Sequence, residues 1–88
     1  MNQKGLTIRS DEGLQSRFAE LLVHVAGRFE SDVWIEHSSL RVNAKSIMGV
    51  LSLKLRRGDS FLIAANGGDE QAAVAAIAKL VETGEAGI

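Results

Sequence analysis

The chain has no cysteine, no proline and no tyrosine, and only 1 Trp and 2 His in 88 residues. Without cysteine it has no disulfide, zinc–thiolate site, cysteine nucleophile or iron–sulfur cluster. A reducing, cytoplasmic setting fits that absence. Charge of one sign is also missing. Lys+Arg 10 against Asp+Glu 11 leaves a net charge of -1, which argues against a protein built mainly to bind nucleic acid. No run approaches the roughly 18 apolar residues of a membrane span. Met1-Asn2-Gln3-Lys4-Gly5 lacks the apolar core of a signal peptide. A chain of this length is expected to form one domain, 1–88. It buries roughly 60–65% of its extended surface, which leaves little room for a large enclosed catalytic cleft.

A 45% hydrophobic share supports a folded core rather than disorder, and its periodicity gives the elements. Leu6-Thr7-Ile8-Arg9 alternates as a strand, ended by the turn cluster Ser10-Asp11-Glu12-Gly13. Phe18, Leu21, Leu22, Val25, Ala26 and Phe29 recur as one stripe of an amphipathic helix. That helix starts near Gln15 or Ser16, with Ser16 as a candidate N-cap. Val33–His37 and Leu40–Val42 read as a hairpin turning at Ser38-Ser39. Ile47, Met48, Val50, Leu51 and Leu53 suggest a helix of about two turns with apolar surface free for a partner. Phe61–Ala65 is a continuous apolar strand, central in the sheet. Asp69-Glu70 opens a last helix with its stripe at Ala73, Val74, Ile77, Leu80 and Val81. Residues 83–88 read as a frayed tail.

The resulting order, β-α-β-β-α-β-α, predicts an α+β fold. Helices cover one face of a four-stranded antiparallel sheet, and the other face is open to water.

Two segments carry candidate chemistry. Gly13-Leu14-Gln15-Ser16-Arg17 enters a helix, where free N–H groups and the positive dipole end suit an anion and Arg17 adds a fixed fork of donors. A plain loop–helix junction with a solvated arginine remains the other reading. Gln15 is neutral and non-basic, so it is neither a nucleophile nor a phosphoryl acceptor. In Asn43-Ala44-Lys45-Ser46-Ile47-Met48-Gly49, Ser46 precedes the short helix. It is either an ordinary capping serine or a phosphorylation site with Lys45 alongside. His24 and His37 have no metal-ligand spacing with carboxylates. Lys54-Leu55-Arg56-Arg57 is a basic cluster without interleaved aromatics, read as solvated charge.

At these two segments the chain resembles the HPr family of the bacterial sugar phosphotransferase system, from about Leu6 to Val81. Within the family it is most like the catabolite repression paralogue, Crh. Gly13-Leu14-Gln15-Ser16-Arg17-Phe18-Ala19 resembles the Gly-Leu-His-x-Arg-Pro-Ala motif, with Gln15 in place of the phosphate-accepting histidine and Phe18 in place of the proline. Lys45-Ser46-Ile47-Met48-Gly49 resembles the regulatory serine segment, and Gly67-x-Asp69-Glu70 the start of the family's last helix. Arg56-Arg57 is more basic than the resemblance leads one to expect.

The resemblance implies an HPr-like open-faced sandwich with three helices on one face. It implies a non-enzymatic regulator with no cofactor and no phosphocarrier activity. HPr kinase/phosphorylase would phosphorylate Ser46 from ATP. The product would bind the repressor CcpA as a corepressor, with no direct contact to nucleic acid or membrane. Arg17, Lys45, Ile47, Met48 and Leu51 would form the docking surface. The alternatives are an HPr-like interaction module independent of phosphorylation, which Phe18 favours, and a phosphocarrier relative.

Overall fold

The computed structural model describes residues 1–11 and 16–84. They form β1 (Asn2–Thr7), α1 (Ser16–Gly27), β2 (Asp32–His37), β3 (Leu40–Asn43), α2 (Ile47–Ser52), β4 (Ser60–Asn66) and α3 (Glu70–Thr83), in the expected order. The strands lie as β1-β4-β2-β3, and every neighbouring pair is antiparallel. The apolar run in β4 is therefore an inner strand, paired along both edges.

Strand alternation sorts the side chains between the two faces of the sheet. Leu6, Val33, Ile35, Phe61, Ile63 and Ala65 join one core with Leu22 and Val25 of α1, Val50 of α2, and Ile77 and Leu80 of α3. The other face has no helix among the described residues, but it is not bare. Trp34 pairs in register with Ala64, which is 1% exposed although it stands outside the main core cluster. The Arg41 guanidinium lies 4.1 Å from the Trp34 ring centroid, and Glu36 lies 4.0 Å from Arg41 Nε. The indole and its stacked cation thus shield the middle of the open face.

Several boundaries differ from the periodic reading. β1 begins at Asn2 and ends at Thr7, earlier than Leu6–Arg9. It is an edge strand held by backbone pairing to β4, and its polar first half leaves no apolar alternation to read. Ser16 is already helical, so it is not the N-cap, and the residues before it, 12–15, lie outside the described ones. Thr83 is ordered as the last residue of α3, and Gly84 caps the helix at φ 77, with its N–H donating to the Leu80 carbonyl. Positions 85–88 lie outside the described residues. Phe18, the family's proline position, is 6% exposed and completes the core stripe of α1.

The end of the sheet away from α1's start is tied by the first residues of α3. Asp69 Oδ1 accepts from the Ser31 N–H at 3.0 Å and from the Ser31 hydroxyl, and Oδ2 accepts from the Glu30 N–H at 2.9 Å. Ser31 is 2% exposed. Gly67 passes so close that a Cβ there would stand 2.7 Å from Ser31 Cα, which only glycine permits. The Ser31 hydroxyl above all, then the Glu30 N–H, hold the Asp69 carboxyl below its ordinary 3.8. Glu70 beside it accepts from the Gly67 N–H at 3.2 Å and pairs with the Met1 amino group at 3.0 Å.

A carboxyl whose pKa is depressed on folding stabilises the fold above its unfolded value. That contribution is lost as pH falls through the lower folded value. Asp69→Asn is therefore expected to lower the urea midpoint at pH 7, with the gap to the parent narrowing below about pH 4. A gap independent of pH would remove the carboxylate from the account.

Candidate functional site

The segment from β3 into α2 is built by short-range bonds and one close approach. Asn43 Oδ1 accepts from the Lys45 N–H at 2.8 Å, and its carbonyl accepts from the Ser46 N–H at 3.1 Å. Between them Ala44 is fully buried, and its N–H donates to the Val33 carbonyl at 2.9 Å. The chain thus leaves β3 while still fastened to β2. Ser46 is extended (φ -108, ψ 116) and caps α2. Its Oγ accepts from the Gly49 N–H at 3.2 Å, satisfying one of the first-turn donors that a helix leaves unpaired. A Cβ on Gly49 would stand 3.3 Å from Val42 Cβ, so glycine lets α2 lie tight against β3.

α2 presents a nearly chargeless surface. Val50 faces the core, Ile47 and Leu51 are half-buried against it, and Met48 is 75% exposed. There is no acid in the first turn and no base in the last. Ser46, Ile47, Met48 and Leu51 therefore form one continuous patch: a half-buried hydroxyl beside a protruding, adaptable methionine.

Lys45 stands differently from its sequence expectation. Its Nζ donates to the Phe29 carbonyl at 2.7 Å in a partly buried setting, just past the end of α1. There it compensates the carbonyls that a helix C-terminus leaves free. The ammonium acts as a strut between α1 and the serine segment. No local pattern signals this, because the partner is 16 residues away in sequence.

Gln15 lies outside the described residues. Arg17 is exposed on α1 and lines a shallow recess of about 180 Å³ with Ser10, Phe18, Leu21 and Gly84. No ion pair joins it to the serine segment among the described residues. His24 is exposed. His37 Nδ1–H donates to the Ser60 carbonyl at 2.9 Å. No group of three or more His, Cys, Asp or Glu residues is placed to hold a metal among the described residues. Sequence reading assigned Asp69 only a helix-dipole role and gave Ser31 none. The signal available for their tie was the Gly67-Gly68 pair before the acid.

The chain matches the family model described as PTS HPr component phosphorylation site over residues 2–83. It is 44% identical to the HPr-like protein Crh of Bacillus subtilis over 82 residues, 93% of this chain and 96% of that one. Its structure is similar to that of HPr from Thermoanaerobacter tengcongensis, with a TM-score of 0.93 and 39% identity, covering 97% of this chain and 98% of the other. It is also similar to a crystal structure of Bacillus subtilis Crh, described as a swapped dimer, with a TM-score of 0.75 and 44% identity over 93% and 94% of the two chains.

Replacing Lys45 by methionine keeps the stem and removes the charged donor. Lys45→Met is expected to cost about 1–3 kcal/mol, read as a lower midpoint in urea unfolding. A solvated surface lysine would leave the midpoint within about 0.5 kcal/mol.

Proposed function

We propose, since the chain belongs to the HPr family of the phosphotransferase system, that it is a Crh-like regulatory protein switched by phosphorylation of Ser46. The observation that carries this reading is the presentation of Ser46. The hydroxyl sits on a braced, extended segment, against a chargeless helix with one protruding methionine. HPr kinase/phosphorylase is the proposed enzyme. The Ser46 oxygen attacks the γ-phosphorus of ATP, its proton passes to a base on the kinase, and ADP leaves.

The product carries roughly -1.5 to -2 extra charge at neutral pH. It stands at the start of a helix with no acid in its first turn, so no like charge opposes it there. Docking to CcpA as a corepressor then combines the new charge with the apolar contact of Met48, Ile47 and Leu51. Arg17, free of ion pairs among the described residues, is available for the partner's acids. Lys45 supports this surface from behind through Phe29. The protein acts as a docking element in the cytoplasm. DNA is touched by the repressor alone, and no helix among the described residues is long and apolar enough to cross a membrane.

Gln15 stands where the resemblance puts the histidine of a phosphocarrier. An amide offers no nucleophilic nitrogen, so phosphoryl transfer from phosphoenolpyruvate through enzyme I is not expected. Phe18 was the residue that favoured a phosphorylation-independent module. At 6% exposure it belongs to the core and offers a partner only the edge that lines the recess beside Arg17.

Incubation with HPr kinase and ATP is expected to add one phosphoryl group, lost in Ser46→Ala, and the phosphorylated protein alone should bind CcpA strongly. An unchanged mass under conditions that modify an ordinary HPr would sink the proposal. Equal CcpA binding by both forms would point instead to phosphorylation-independent docking.

A further inference from the structure

The basic loop after α2 has no part in the account so far. We infer that Lys54 and Arg56 form a second contact of the same docking face, gripping an acidic patch on the kinase that takes Ser46 and Met48. The inference rests on the Ser46 reading for where that partner sits.

Leu53 and Leu55 are 7% and 1% exposed, whereas Lys54 and Arg56 are exposed. The loop thus sends its leucines into the core and both cations outward. It is not slack. The Arg56 N–H donates to Asp59 Oδ2 at 2.9 Å, and the Arg56 carbonyl accepts from the Asp59 N–H at 2.9 Å. The Gly58 N–H donates to the Ile8 carbonyl and the Ile8 N–H to the Asp59 carbonyl, both at 2.9 Å. Arg57 is engaged with Asp11. Lys54 and Arg56 have no ion pair among the described residues, and the nearest acid in sequence, Asp59, accepts from a backbone N–H. The backbone that carries the cations is held in place, and both side chains are exposed to solvent.

Lys54 also has a backbone that suits another residue. It follows α2 at φ 52, with its N–H donating to the Leu51 carbonyl at 3.2 Å. This is the left-handed closing position where glycine ends a helix without strain. Among the described residues no ion pair of the ammonium offsets that strain. A strained backbone carrying an exposed cation points to use outside the molecule. The partner is a protein surface with an apolar pocket for Met48 bordered by carboxylates. The loop carries no exposed aromatic on which bases could stack.

The test uses HPr kinase/phosphorylase as the probe. Binding and phosphorylation of the parent, Lys54→Gly, Arg56→Ser and the α3 control Lys79→Ser are measured in low and high salt. Lys54→Gly is expected to raise the unfolding midpoint while weakening binding and raising KM roughly three- to tenfold at about 50 mM salt. Arg56→Ser weakens binding similarly with kcat unchanged. Both losses shrink toward nothing at about 0.5 M salt, and the control behaves as the parent does. Parent-like binding by both loop variants at low salt overturns the inference and leaves the Ser46 reading intact. Salt-sensitive binding reduced in the loop variants, but without phosphorylation of the parent, supports the inference and removes the Ser46 reading. No binding by the parent overturns both.

Discussion

The structure depends on the covering of one face of a four-stranded sheet by helices whose contact residues are mostly small or medium-sized. Ile35 and Ile63 are fully buried at its centre, and Ala73, Ile77 and Leu80, at 0% exposure, lie on the face of α3 that packs over β1 and β4. A core this thin is sensitive to each side chain, because close-packed interiors register the gain or loss of a single methylene. Two glycines belong to the same constraint. Gly67 lets the β4–α3 turn meet Ser31, and Gly49 lets α2 meet Val42. The elements are placed by how near their backbones come, and the functional segment inherits its rigidity from that closeness.

Legibility from sequence followed the physical range of each interaction. The helices and the inner strand were visible because burial imposes a period on consecutive residues. β1 was half visible: its buried Leu6 alternates, but Asn2, Gln3 and Lys4 join the sheet through backbone bonds to β4, which leave no side-chain signature. The Ser46 cap was legible because a cap is a local contact. The strut from Lys45 to Phe29 and the tie from Asp69 to Ser31 were not, since each joins residues that the fold alone makes neighbours. Phe18 shows the opposite failure. The family motif made it look like a change in the site, whereas its place in the α1 stripe already marked it as core.

On the proposed reading, the serine segment and the basic loop would divide the work of a docking surface in a physically sensible way. Apolar contact with Met48 is short-ranged and depends on fit. Charge on Lys54 and Arg56 acts over about a Debye length and favours encounter before contact. Neither requires a cavity, and the recess beside Arg17 is shallow. On that reading the protein would do its work by being recognised.

The face of the sheet away from the helices carries the sole tryptophan, seated beside Ala64 and stacked by Arg41. The cation is supplied by β3, the short edge strand, and the floor by the inner strand β4. The indole is therefore a built-in optical gauge of whether β3 remains zipped to the sheet. Its emission would register the peeling of that edge while staying nearly silent to anything that settles on α2.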